Sequence, residues 1–116
     1  MSKFVTLLVE DDPLQREVMA DILRTENFEV IECATGEAAE LVIATSGAEL
    51  RAVITDQNLE GDMLGSELAA FGRQRFPNLN IILISGLPKP LLPSNTRFLS
   101  KPVLPEMLIE AVRLGN

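Results

Sequence analysis

A doubly wound α/β fold, with helices on both faces of a five-stranded parallel sheet, is the architecture this sequence predicts. Three observations carry that expectation. Apolar runs of strand length recur at Phe4 to Val9, Phe28 to Ile31, Arg51 to Thr55, Asn80 to Ile84 and Thr96 to Ser100. Segments with helical spacing separate most of them, and strands alternating with helices favour parallel βαβ units. Reactive side chains cluster where the runs end: Glu10-Asp11-Asp12 after the first, Asp56 after the third, Ser85 after the fourth and Lys101-Pro102 after the fifth. The carboxyl ends of the strands of an open parallel sheet form one rim, with a binding crevice where strand order reverses. These scattered groups are therefore expected to converge around Asp56.

The elements follow in order. After the first strand, Asp12 is placed to cap a helix and Pro13 to begin it, where a missing N–H is harmless. Leu14, Val18 and Ile22 recur at helical spacing, with Met19 and Leu23 beside them, so the helix is expected to bury that face and run to about Glu26, before Asn27. Phe28 to Ile31 alternates with Glu29 and Glu32, as a half-exposed edge strand does. Thr35 opens a second helix whose expected stripe is Ala38, Leu41, Val42 and Thr45, stopped at Gly47. The third strand delivers Asp56 into the loop Gln57 to Met63, with a turn at Gly61. Leu64, Leu68 and Phe71 mark a third helix ending before Pro77. Ile81 to Ile84 are consecutive branched aliphatics without alternation, as in a central strand covered on both faces. The final helix starts at Pro105, with Leu104, Met107, Leu108, Ala111 and Val112 at helical spacing.

One connection breaks the alternation. Only Gly86 to Asn95 joins the fourth and fifth strands, and Pro88, Pro90 and Pro93 interrupt it. After loops of at least about two residues at each end, less than two helical turns remain, and each interior proline opposes a helix by about 3 kcal/mol. An extended or single-turn connection is expected.

Composition narrows the function. At 116 residues and 47% hydrophobic, the chain fits one folded domain spanning 1–116 with no output domain. No apolar run approaches the roughly 18 residues of a membrane span. Met1-Ser2-Lys3 and the short run after it do not make a signal peptide, so a cytoplasmic protein without membrane insertion is expected. A net charge of −7 with dispersed basic residues argues against nucleic acid. Absence of histidine excludes histidine triads, histidine general bases and histidine-ligated zinc. Cys33 stands alone, cannot form an internal disulfide, and reads as a small apolar filler.

Glu10, Asp11 and Asp56 would crowd three carboxylates together, which is unfavourable unless a cation holds them, and hard oxygen ligands suit Mg²⁺. Asp12 alone explains the helix cap. Lys101 supplies a compact positive charge for a phosphate oxygen or for Asp56 itself.

This arrangement resembles the response-regulator receiver domains of two-component signalling, along the whole chain. Glu10-Asp11, Asp56, Ser85 and Lys101-Pro102 stand in the family's order and at its spacing. The resemblance implies a flavodoxin-like sheet with strand order 2-1-3-4-5. It implies Asp56 as phosphoacceptor, and Mg²⁺ held by Asp11, Asp56 and the backbone carbonyl of Asn58, with Glu10 acting through a metal-bound water. Lys101, before a cis peptide bond, and Ser85 would contact the phosphoryl group, and Ser85 with Phe98 would form the switch. The implied partner is a histidine kinase or histidine phosphotransfer protein, with output by protein contact as a monomer or phosphorylation-dependent dimer. Only self-phosphorylation and self-dephosphorylation are implied, not turnover of a separate substrate.

Three departures stand out: Glu60 replaces a usual proline, Gly65 comes one residue later than the commonest pattern, and the family's helix four is short or absent. Two other readings compete. A pseudo-receiver would use the same fold without accepting phosphate. A Mg²⁺-dependent phosphatase with an aspartyl-phosphate intermediate would usually carry its nucleophile after the first strand.

Overall fold

A computed structural model describes residues 5–114. Its five strands, β1 (Val5–Val9), β2 (Glu29–Cys33), β3 (Leu50–Asp56), β4 (Asn80–Ser85) and β5 (Thr96–Ser100), form one parallel sheet in the order β2-β1-β3-β4-β5. The expected strand order and doubly wound architecture are both present. Phe4, the expected start of the first strand, lies outside the described residues. Helices α1 (Pro13–Thr25), α2 (Gly36–Ser46), α3 (Gly65–Arg75) and α4 (Pro105–Arg113) cover the sheet, with a short 3-10 turn at Gly47–Glu49.

Alternation of side chains along each strand divides the core into two layers. Leu7, Val9, Val53 and Ile81 pack with Ala39 and Ile43 of α2 and with Leu68 and Ala69 of α3. Leu8, Ala52, Ile54, Ile82 and Ile84 pack with Ala20 and Leu23 of α1 and with Leu108, Ala111 and Val112 of α4. Every residue of β4 is buried, as its unbroken aliphatic run requires, and β2 is an exposed edge.

The helical faces differ from expectation. In α1 the buried residues are Ala20 and Leu23, while Leu14 and Val18 are 68% and 51% exposed. Only the C-terminal half of the predicted stripe reaches the sheet, because α1 begins beyond the strand rim. In α2 the core residues are Gly36, Ala39 and Ile43, with Leu41 exposed. Its sequence is apolar on most sides, so two stripes satisfy helical spacing, and the small residues take the close approach to the sheet. In α4, Leu108, Ala111 and Val112 are buried, but Met107 and, just before the helix, Leu104 are exposed. The cap of α1 forms as expected, with Asp12 Oδ1 accepting from the backbone N–H groups of Leu14 at 2.9 Å and Gln15 at 3.3 Å.

No helix forms between β4 and β5. Residues 86–95 run without regular structure to a turn at Ser94 and Asn95, the latter at φ 63°. Leu91 stands 97% exposed, whereas Pro90, Leu92 and Pro93 are half-buried. Arg73 holds the far end of this segment, donating from Nε to the Ser94 carbonyl at 3.0 Å and from Nη2 to the Asn95 carbonyl at 3.1 Å. Its Nη1 reaches the carbonyls of Pro77 at 2.8 Å and Leu79 at 2.7 Å. One planar cation thereby ties α3, the turn into β4 and the start of β5 together.

Candidate functional site

Parallel pairing carries the strand ends to one rim. β1 and β4 both flank β3, with Val9 opposite Thr55 and Asp56 opposite Ile84. Glu10 and Asp11 therefore leave β1 beside Asp56, while Ser85 and, one strand further, Lys101 leave on its other side. Glu10 is 1% exposed, Asp56 8%, and Asp11 is half-buried. Carboxylate oxygens of all three lie within 4.8 Å of one another.

Lys101 counters part of this charge. Its Nζ donates to Asp56 Oδ2 at 2.8 Å and to Gln15 Oε1 at 3.3 Å. Burial, the largest influence on this ammonium, pulls its pKa down, but the Asp56 hydrogen bond and the charges of Asp56, Glu10 and Asp11 outweigh it, so the net shift is upward. Lys101 precedes a cis proline bond, as the resemblance implied.

Glu10 answers differently. Its carboxyl is pushed up to about 7, chiefly by burial and further by Asp11 and Asp56, against the lowering effect of the Asp12 N–H on Oε2 at 3.0 Å. Its other oxygen, Oε1, is buried with no hydrogen-bond partner. Three clustered carboxylates, one with an orphaned oxygen, are a donor set that fits a hard divalent cation such as Mg²⁺.

The remaining predicted residues fall into place unequally. Asn58 donates its N–H to Asp56 Oδ1 at 3.4 Å. Ser85 is buried at the end of β4, its Oγ accepting from the Leu87 N–H at 3.0 Å and its carbonyl accepting from the Lys101 N–H at 2.9 Å. Phe98 is half-buried on β5 opposite Leu83, away from the strand rim.

Several supporting contacts escaped the sequence reading. Gln57 accepts from the Ser66 N–H at 2.8 Å through Oε1 and donates through Nε2 to Ser66 Oγ at 3.1 Å, fastening the loop after Asp56 to α3. Gly65 approaches so closely that a Cβ there would overlap the Asp56 carbonyl. Arg16 donates to the Glu10 carbonyl at 2.8 Å, and its Nε lies 3.5 Å from Glu32. The loop lacking the usual proline is held by other means: Glu60 bridges Thr35, Glu37 Oε2 accepts from the Asp62 N–H at 3.2 Å, and Gly61 takes φ 95°. Neither Gln57 nor Arg16 sits in a local pattern that distinguishes it from a solvated surface residue. A buried Asn80 at the start of β4 ties α4 down, donating to the Ala111 carbonyl at 2.9 Å; its one sequence signal is a polar residue opening an aliphatic run.

A family model described as the response regulator receiver domain matches residues 6–113. The chain is 38% identical over 79 residues to the response regulator protein FleR of Pseudomonas aeruginosa, a match covering 68% of this chain and 16% of FleR. Among solved structures it resembles the receiver domain of the hybrid histidine kinase CckA, at 29% identity and TM-score 0.82 over 94% of this chain and 95% of that one. It also resembles a response regulator receiver protein from Sinorhizobium medicae WSM419, at 26% identity and TM-score 0.79 over 96% and 92% of the two chains.

Proposed function

The chain belongs to the response regulator receiver domain family, and from that premise we propose that Asp56 accepts a phosphoryl group from a phosphohistidine on a histidine kinase or phosphotransfer protein. The observation that carries this reading is the Asp56 carboxylate itself, nearly buried at the end of the central strand between the Lys101 ammonium at 2.8 Å and the Glu10–Asp11 pair. In the transfer an Asp56 oxygen forms the new P–O bond as the P–N bond to histidine breaks, and the imidazole leaves with the electron pair. Little covalent work falls to the protein, so positioning and charge neutralisation dominate.

Each residue has a defined part. Asp11, Asp56 and the Asn58 carbonyl would hold Mg²⁺, with Glu10 reaching it through water. When bound, that ion supplies positive charge against the phosphoryl oxygens. Lys101 supplies the second positive charge from the opposite side. Ser85 offers its hydroxyl to the transferred group, and through Ser85 and Phe98 the new charge shifts a two-state equilibrium. The reaction is one of self-modification, and output passes by protein contact within the cytoplasm.

The surface beside the site favours a protein phosphodonor. Leu14, Val18 and Met19 of α1 and Pro102 and Val103 after β5 line a groove of about 560 Å³ that also reaches Lys101. An apolar helix of a donor seated there would bring its histidine to the rim, in the helix-in-groove mode.

Intact mass after incubation with a small-molecule phosphodonor tests the reading. We expect one phosphoryl adduct on the wild type that requires Mg²⁺ and is lost in Asp56→Asn. No adduct from any donor, a phosphorylated histidine protein included, would reduce the chain to a pseudo-receiver.

A further inference from the structure

Gln15 occupies a place that its sequence position does not announce. It lies on the first turn of α1, and its carboxamide spans two opposite charges. Nε2 donates to Asp12 Oδ2 at 3.2 Å, and Oε1 accepts from Lys101 Nζ at 3.3 Å. Only this orientation of the amide satisfies both neighbours, because a carboxylate accepts and an ammonium donates. Asp12 is itself fixed by capping α1. The result is a continuous chain of hydrogen bonds, Asp12 to Gln15 to Lys101 to Asp56, linking residues 86 apart in sequence at its middle step.

An ammonium on a four-carbon stem has many rotamers, and a single carboxylate partner leaves it free to swing about that contact. A second, laterally placed acceptor removes much of that freedom before any phosphodonor arrives. We propose that Gln15 is a positioning residue of the acceptor site, holding the Lys101 ammonium where it neutralises the incoming phosphoryl group. This rests on the acceptor reading above and adds to it a residue outside the strand-end set. Gln15 bonds Asp12 and Lys101, and its effect on Asp56 passes through Lys101.

The decisive comparison uses Gln15→Met, a side chain of similar length and helix propensity that lacks the acceptor oxygen, and Gln15→Glu, which keeps one. The readout is the rate of phosphoryl adduct formation with a small-molecule donor in Mg²⁺, by intact mass. Each variant is also placed in a Lys101→Ala background. Loss of one charge-assisted hydrogen bond predicts a rate lower by roughly three- to tenfold for Gln15→Met. Gln15→Glu, which keeps an acceptor for Lys101 but loses the donor to Asp12, should fall between wild type and Gln15→Met, and Gln15→Met should have no further effect once Lys101 is gone. Equal rates for wild type and Gln15→Met would overturn the inference alone, as would an undiminished Gln15→Met defect in the Lys101→Ala background. Absence of an adduct on the wild type would overturn the acceptor reading and this inference with it.

Discussion

Lys101 Nζ lies 2.8 Å from Asp56 Oδ2, although the two residues end strands on opposite sides of β4. The contact places a fixed positive charge on one side of a pocket whose other side is lined by carboxylates. Lys101 therefore repels a cation in that pocket and attracts a phosphoryl group. Lys101→Met separates these effects. Mg²⁺ affinity should hold or tighten severalfold, while phosphorylation should slow by about 100-fold, the scale of losing one preorganised charge. Calorimetric Mg²⁺ titration and intact mass measure the two quantities. Weakened Mg²⁺ binding with an unchanged transfer rate would contradict the assignment.

Glu10 gives the metal-free protein a distinctive pH dependence. Its folded-state pKa, about 7, exceeds the ordinary value of 4.5, so the folded protein holds this proton more tightly than the unfolded chain. The associated stability is fully present below about pH 4.5 and is lost as pH rises through 7. Without Mg²⁺, Tm should fall over that window more steeply for wild type than for Glu10→Gln, by about 4 °C per kcal/mol. Mg²⁺ requires the ionised carboxylates, so its stabilisation should be larger at pH 8 than at pH 6. Parallel wild-type and Glu10→Gln melting curves from pH 4.5 to 8 would refute this account.

The two positions above were legible in the sequence because strand ends are. A run of branched aliphatics fixes where a strand stops, and parallel topology carries every such stop to the same rim; that is how the sequence places Glu10, Asp11, Asp56, Ser85 and Lys101 together. Helical faces were read less well. Spacing alone counted Leu14 and Val18 as core, yet they line the groove beside Lys101, while Ala20, whose small side chain signals little by itself, packs against the sheet. Contacts of polar side chains across long sequence separations left no local trace. Gln15 to Lys101 and Arg73 to Ser94 are set by the assembled fold, since neither glutamine nor arginine is unusual on a helix surface.

Gly65 tests how tightly the loop after Asp56 must close. A Cβ at this position would overlap the Asp56 carbonyl and press on the Gln57 backbone, neither of which can turn aside as a side chain would. Gly65→Ala should destabilise the protein by about 1–3 kcal/mol and slow phosphorylation by displacing Asp56. At Gly86 the nearest obstacle is the Lys101 Cβ at 3.9 Å, so Gly86→Ala should melt within a few degrees of wild type. Thermal melts of the pair decide the matter, and equal stability of both variants would disprove the close approach at Gly65.

Arg73 takes over part of the work of the helix that the β4–β5 connection lacks. A crossover helix satisfies its own backbone groups and packs onto the sheet; here an irregular segment must be held from outside. The guanidinium supplies donors in a planar fork, and carbonyls of Pro77, Leu79, Ser94 and Asn95 all accept from it at 2.7 to 3.1 Å. Partial burial of the guanidinium lowers its pKa. A lysine ammonium in the same place would reach fewer of these carbonyls and has no fixed fork. Arg73→Lys should therefore lower stability by roughly 2 kcal/mol, with Arg73→Met lower still. The sharper expectation is spatial: amide exchange should accelerate in residues 86–95 and at the start of β5, while β1 and β3, which Arg73 does not touch, keep their protection relative to global stability. Uniformly accelerated exchange across the sheet would mean that Arg73 supports the whole fold, whereas unchanged exchange in 86–95 would mean that the prolines alone hold the segment.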